Sequence, residues 1–265
     1  MTPDFLIIGA MKAGTTTLFR DLEKHPAIFV PGNKEPHTLS RLEAQDDILA
    51  EYARLFAGAT TDKIKGEAST GYTKRPDIEG VPDKAHAICG PDLKLIYLRR
   101  RPETRIVSQY RHEREHGTIS EPFSEALRKY PRLIDYSRYD WQLAPWIAKF
   151  GEAAVFELDL EKYSARRAEL ISQVLKHIGA DPGLLGQVDL TESANRADEA
   201  KAIKNRVLRS LVYSNFYQDR LKNLIPAETR ARLRRSILPA PKTIQVEVSE
   251  RDRAYIAERL AEFPG

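Results

Sequence analysis

Cysteine is nearly missing from this chain: Cys89 is the only one in 265 residues. One thiol excludes an intrachain disulfide and any cysteine-built metal cluster, and a reducing compartment is the simplest setting for it. Long apolar runs are missing as well. No stretch approaches the ~18 apolar residues that a membrane span needs, and Met1-Thr2-Pro3-Asp4 lacks the basic opening of a secretory leader. The expectation is a cytoplasmic protein without membrane insertion. Excess charge is small, +4 with a sequence pI near 9.0. A uniform polyanion-binding surface is therefore not implied and no nucleic-acid partner is expected, although a local anion site fits. His25, His86, His116 and His177 are scattered and have no metal-ligand spacing, so no metal is expected. Internal repeats and low-complexity tracts are absent, and nothing in the pattern speaks to oligomeric state.

What is present is the composition of a folded domain, 42% apolar and 30% charged. Phe5 to Ile8 is a short apolar run ending at Gly9, and Leu18, Phe19 and Leu22 follow at helical spacing after a Gly/Thr turn. That is strand, loop, helix. An amphipathic stretch surrounds Ile48, Tyr52, Leu55 and Phe56, and Lys63 to Glu67 reads as a second strand. Leu93 to Leu98 reads as a buried strand, and Pro102 sits where a helix starts well. Residues 123–130 and 139–150 have helical character, Ala153 to Leu158 that of a strand, and 166–178 that of a helix closed by Gly179. Strands alternating with helices imply α/β architecture around a mostly parallel sheet. From about 181 the pattern turns helical and charged, with Arg232, Arg234 and Arg235 before Pro239 and Pro241, and Ser249 to Phe263 resembles a capped helix. The expectation is one domain over 1–265, with 181–265 as a helical cover on it.

Gly9-Ala10-Met11-Lys12-Ala13-Gly14-Thr15-Thr16 joins the first strand to the first helix and carries two glycines at the separation of a Walker A loop. Backbone N–H groups of such a turn converge on an anion, and the helix adds its positive end. Walker A also needs a lysine directly after the second glycine. Thr15 stands there, and Lys12 precedes Gly14 by two. Leu93 to Leu98 runs into Arg99-Arg100-Arg101, with no acidic residue at the strand end. Metal-assisted ATP hydrolysis therefore fits poorly.

The segment Lys12 to Leu18 resembles the 5′-phosphosulfate loop, Lys-x-Gly-Thr-Thr-x-Leu, of the sulfotransferases that use 3′-phosphoadenosine 5′-phosphosulfate (PAPS). The resemblance, to the carbohydrate-acting branch and its bacterial relatives, covers about residues 3–180. It implies a P-loop-like three-layer fold with a helical C-terminal portion. It also implies a 5′-phosphate held by Ala13, Gly14, Thr15, Thr16 and Thr17, with Lys12 near the bridging oxygen. After the Leu93 to Leu98 strand, the family's 3′-phosphate motif corresponds to Arg100, two before Pro102, and Ser108, six after it. Arginine suits that task because its planar fork makes paired, charge-assisted bonds to phosphate oxygens. The helix from Glu103 to Gly117 places Arg105, Ser108 and His112 on one stripe and Ile106, Val107 and Tyr110 on the packing face.

Sulfuryl transfer to a neutral hydroxyl or amine requires a group that accepts its proton and a cation near the leaving oxygen. Lys34-Glu35-Pro36-His37 is similar to a stretch of the carbohydrate branch in which the glutamate is the general base. Glu35 is that residue by position, and His37, with an ordinary imidazole pKa near 6.5, is the alternative. Lys34 is either a direct contact or a solvated loop lysine. Glu67 and Tyr72 lie in a segment similar to one that borders the family's acceptor site, although Glu67 also reads as a plain strand-end residue. The implied reaction moves the sulfuryl group of PAPS onto a small-molecule or carbohydrate acceptor. A nucleotide kinase and a non-catalytic nucleotide- or polyanion-binding module are the competing readings.

Overall fold

The structure, a computed structural model, describes residues 1–187 and 244–262. Its centre is a five-stranded sheet with the order β2-β3-β1-β4-β5. The strands are β1 (Phe5–Gly9), β2 (Ile28–Phe29), β3 (Ile64–Ala68), β4 (Lys94–Arg99) and β5 (Val155–Asp159). Every pairing is parallel, which is the arrangement expected when helices return the chain between strands and cover both faces. All five residues of β1 are buried, which explains an apolar run without alternation.

The chain leaves β1 for β2 and β3 on one side and then crosses to β4 and β5 on the other. β1 is therefore the point where strand order reverses, and ligands in open α/β sheets bind outside the carboxyl ends of the strands at that point. Between β1 and β4 the register runs Phe5↔Lys94, Leu6↔Leu95 and Ile7↔Ile96, then shifts to Gly9↔Tyr97. The shift falls where the first loop begins, and the Ala10 N–H still donates to the Leu98 carbonyl at 2.9 Å.

Helix α1 (Thr15–Glu23) follows β1, α2 (Thr38–Arg41) and α3 (Gln45–Leu55) lead toward β3, and α4 (Val81–Cys89) precedes β4. After β4 come α5 (Pro102–Glu115), α6 (Phe123–Lys129), α7 (Arg132–Asp135) and α8 (Tyr139–Phe150), and α9 (Leu160–Ala165) and α10 (Arg167–His177) follow β5. The main core packs Leu18, Phe19, Leu22, Tyr52, Trp146 and Val174 against the sheet. A second cluster joins Ile106, Phe123, Leu127 and Leu133 to Ile256 of α11 (Glu250–Ala261). Ser249 caps α11 by accepting from the Asp252 N–H at 3.1 Å, and Asp252 accepts from Ser124 Oγ at 2.6 Å.

β2 and four helices, α2, α4, α7 and α9, have no counterpart in the sequence reading. β2 is two residues long, too short to show a period, and α4 is bounded by Pro82 in its first turn and Gly90 at its end. The strand expected from Ala153 begins instead at Val155, because Glu152–Ala154 forms a 3-10 turn. The expected helical cover over 181–265 falls mostly on residues 188–243, which lie outside the described residues.

Candidate active site

The loop from Gly9 to Gly14 is shaped by its glycines. A side chain at Gly9 would collide with Thr73 Oγ1 and the Tyr97 ring, and one at Gly14 with Leu160 Cδ1. Gly14 also has φ +88°, in the left-handed region, which suits glycine best. It begins α1 without any side-chain cap, so N–H groups of the first turn are available to an anion at the positive end of the helix. Thr15 is buried, Thr16 is exposed and Thr17 is half-buried.

Two arginines brace this loop from the far side of β1. Arg100 Nη1 donates to the Lys12 carbonyl at 3.3 Å, and Arg105 Nη1 donates to the Met11 carbonyl at 3.4 Å. Arg99 pairs with Asp140 and Glu157, and Arg101 pairs with Glu161. Arg100, half-buried, has no carboxylate partner among the described residues. Its backbone is pinned instead, since Tyr139 Oη donates to the Arg100 carbonyl at 2.6 Å.

The stripe on α5 does face the loop, but Arg105 is spent inside the protein. It is fully buried, and it donates to Ser137 Oγ, to the Leu133 carbonyl and to Gln109 Oε1 at 2.7 Å. Helical spacing places Ser108 one turn further along, where it is half-buried. His112 comes next. Burial, the charge of Lys12 and His116 push its pKa down to about 4, with Lys74 adding to the effect. Its ring lies 4.1 Å, centroid to centroid, from that of His116.

Lys34-Glu35-Pro36-His37 approaches from β3. The Glu35 N–H donates to the Ala68 carbonyl at 2.9 Å, so the segment runs alongside the strand end. Glu35 and His37 both have positive φ, 63° and 55°, a conformation that costs roughly 1–3 kcal/mol per residue and has to be held by its surroundings. Glu35 Oε2 accepts from the Thr70 N–H at 2.7 Å and from Thr70 Oγ1 at 3.1 Å. Lys34 pairs with its other oxygen, and His37 Nε2 lies 3.4 Å from Oε2. Burial works against the ionised carboxyl, but the charge and hydrogen bond of Lys34, the Thr70 N–H and His37 outweigh it and hold the pKa below the usual value. Burial lowers the His37 pKa; Glu35 opposes this, while Lys74, Lys34 and Arg41 reinforce it. Glu35 is thus an ionised carboxylate and His37 a neutral imidazole at neutral pH.

Glu67 and Tyr72 lie behind this segment. Both are buried, at 0% and 2% exposure, so neither can meet an acceptor directly, contrary to the expectation that they border it. Glu67 accepts from Tyr72 Oη, from Ser69 Oγ at 2.8 Å and from Tyr52 Oη at 3.2 Å. Ser69 Oγ in turn accepts the His37 N–H at 3.0 Å, and Tyr72 Oη accepts the Leu39 N–H at 3.2 Å. The buried carboxyl therefore organises the hydroxyls on which the Lys34–His37 segment rests. Burial pushes its pKa up to about 7 against the pull of those hydroxyls.

Sequence reasoning missed Lys74. It closes the 3-10 turn Thr70–Thr73, whose Thr70 holds Glu35 and whose Thr73 Oγ1 donates to the Ile8 carbonyl of β1 at 2.8 Å. No periodicity marks it; only the pinned turn brings it to the site.

Known proteins share this arrangement of strands and helices. The sulfotransferase from Alicyclobacillus acidocaldarius superimposes with a TM-score of 0.62 at 24% identity, over 87% of this chain and 99% of that one. The sulfotransferase domain from the curacin biosynthetic pathway superimposes with a TM-score of 0.54 at 16% identity, over 91% and 99%. These likenesses establish the fold. No family model matches the chain. In sequence it is 25% identical over 204 residues to the bifunctional heparan sulfate N-deacetylase/N-sulfotransferase 2 of Bos taurus, covering 69% of this chain. It is 34% identical over 108 residues to the heparan sulfate glucosamine 3-O-sulfotransferase 6 of Homo sapiens, covering 41% of this chain. The chain is thus similar to sulfotransferases both in sequence and in fold. It spans only 22% and 30% of the length of those two relatives. Within this fold the glycine cradle and Arg100, which has no carboxylate partner among the described residues, offer two places suited to anionic groups. The parts meet through the Arg100 contact on Lys12, 88 residues apart in the chain.

Proposed function

We propose that this chain transfers the sulfuryl group of PAPS to a hydroxyl or amine of an acceptor, with Glu35 as the base. The observation that carries the reading is the hydrogen bond from Arg100 to the Lys12 carbonyl. It joins the loop suited to a 5′-phosphate to a cation suited to a 3′-phosphate, at the end of the switch-point strand. Gly14 and Thr15 to Thr17 offer the helix start, Arg100 and Ser108 the 3′-phosphate contacts, and Lys12 a charge beside the bridging oxygen.

In the reaction the acceptor oxygen or nitrogen forms a bond to sulfur while the bond from sulfur to the bridging oxygen breaks. The electron pair of the broken bond stays on the 5′-phosphate, where charge develops and Lys12 lowers its energy. The acceptor's proton goes to Glu35, whose free electron pairs and fixed position suit it as the accepting group. His37, neutral and 3.4 Å away, orients that carboxylate and is the alternative base. A carbohydrate acceptor is supported by the two curated relatives, both named for heparan sulfate sulfation. Lys34, paired with Glu35, is the cation of this segment proposed to contact such an acceptor.

The test is calorimetry with adenosine 3′,5′-bisphosphate and AMP, followed by sulfate transfer from PAPS to a panel of saccharide, alcohol, phenol and amine acceptors. The bisphosphate should bind well over tenfold more tightly than AMP, because AMP leaves the Arg100 site without its anion. Arg100→Ala should abolish the difference. Equal affinities in the unaltered protein would sink the assignment of the donor.

A further inference from the structure

Lys74 follows directly on the Thr70–Thr73 turn, which ties the Lys34–His37 segment to the end of β1. The turn before it is fastened at both ends: Thr70 donates to Glu35 Oε2 at 2.7 Å, and Thr73 Oγ1 donates to the Ile8 carbonyl at 2.8 Å, just ahead of the loop. The Lys74 carbonyl accepts from the Ile78 N–H at 3.0 Å. Its backbone position is therefore fixed with respect to both the base and the cradle.

The ammonium lies 5.7 Å from the centre of the Tyr136 ring. Among the described residues it makes no hydrogen bond or ion pair, although it is half-buried, which is unusual for a lysine. The groups acting on it are Glu35 from the segment before α2, Glu113 and Arg105 from α5, and Asp77 from the loop after its own turn. Burial pushes its amine below the ordinary lysine range, and Glu35 and Glu113 pull the other way. Lys74 acts in turn on His37 beside the base and on His112, which also senses Lys12. A partly desolvated cation, carried on a turn fastened to both Glu35 and the end of β1, thus acts on groups at the proton acceptor and at the phosphate loop.

Resting on the proposed sulfuryl transfer, we infer that Lys74 is a further catalytic residue, whose ammonium meets the oxygens of the sulfuryl group as it passes from donor to acceptor. The bond changes are those given above, with the electron pair left on the 5′-phosphate and the proton on Glu35. Lys74 neither gains nor loses a proton. It stabilises sulfuryl oxygens opposite the side served by Lys12, and a preorganised cation in a poorly hydrated site is effective at this.

The experiment needs no natural acceptor. Adenosine 3′,5′-bisphosphate binding is measured by calorimetry with and without orthovanadate, whose five-coordinate form mimics sulfur in transit, and PAPS breakdown is followed with water as acceptor. In the unaltered protein vanadate should tighten bisphosphate binding. Lys74→Met should leave bisphosphate affinity within twofold, abolish at least tenfold of the vanadate effect and slow PAPS breakdown at least tenfold. Lys74→Arg should recover part of both, and Lys74→Gln repeats the test should the methionine variant fold poorly. An unchanged vanadate effect and rate in Lys74→Met, or a parallel loss of bisphosphate affinity, would overturn the role of Lys74. Failure of the unaltered protein to bind the bisphosphate would instead overturn the donor assignment. Bisphosphate binding with neither breakdown nor a vanadate effect would overturn the transfer reading and the role of Lys74 together.

Discussion

The Thr70 N–H donates to Glu35 Oε2 at 2.7 Å, and Thr70 Oγ1 reaches the same oxygen at 3.1 Å. These bonds fix a carboxylate whose own backbone is in the left-handed region, at φ 63°. Glu35→Gln keeps the size and most of the hydrogen bonding but cannot take a proton. Transfer should fall by roughly 10²–10⁴, the usual worth of a general base, with bisphosphate affinity unchanged. Thr70→Val should cost less, and so should His37→Ala. Rates measured with an acceptor from the panel check the order, and a larger loss from His37→Ala would assign the proton to the histidine.

The placement of the residues proposed for the nucleotide was legible because its signals are local. Lys12 to Leu18 lies between an apolar strand and a helix, so a loop with two glycines has only one place in the fold, and Arg100 follows directly from the end of β4. Arg105 shows where such reading stops. Helical spacing correctly puts it on one face with Ser108 and His112, but it cannot reveal that Leu133 and Ser137 close over the guanidinium. The same holds for Glu67 and Tyr72: their place beneath the Lys34–His37 segment depends on Ser69 and on the start of α2, which are contacts between distant parts of the chain. α4 was missed although Pro82 and Gly90 mark its ends, because only Val81, Ala85 and Ile88 suggest a face between them.

Gly14 bears on binding through its shape. At φ +88° any other residue adopts a left-handed conformation that costs roughly 1–2 kcal/mol, and the new Cβ has to displace Leu160 Cδ1. Gly14→Ala should lower stability by about that amount, since the tip of Leu160 can move. Bisphosphate affinity should fall further, because the start of α1 moves with the residue that precedes it. Thermal unfolding with and without the nucleotide separates the two effects. Equal melting shifts in both conditions would mean that Gly14 matters to folding only.

Lys12 differs from the other loop residues in what it should cost. A contact made equally in the ground and transition states changes binding alone, whereas a charge beside the leaving oxygen acts mainly as the bond breaks. Lys12→Ala should therefore reduce kcat by a larger factor than it weakens bisphosphate binding. It should also raise the pKa of His112, which the charge of Lys12 helps to push down to about 4. That change can be followed by NMR titration of the imidazole without any acceptor.

Glu67 makes stability depend on pH in a defined window. Burial raises its carboxyl from an ordinary 4.5 to about 7 in the folded protein, so the folded state holds a proton that the unfolded chain has already lost over this range. A raised acid contributes stability that is fully present below the unfolded pKa and is lost as pH rises through the folded one. Between about pH 4.5 and 7 this term should therefore weaken the fold as pH rises, by at most about 3 kcal/mol in total. Glu67→Gln cannot titrate, and its amide oxygen can still accept from Tyr72 and Ser69. Denaturant melts of the two proteins across that window should show the unaltered chain losing stability relative to the glutamine variant as pH rises, with the difference levelling off above pH 7. A constant difference across the window would mean that Glu67 is already ionised in the folded protein at its lower end, so that its pKa is not raised. Transfer activity offers a second readout: because Ser69 and Tyr72 carry the His37 and Leu39 N–H groups, Glu67→Phe, which removes both acceptors, should slow transfer even where the fold survives.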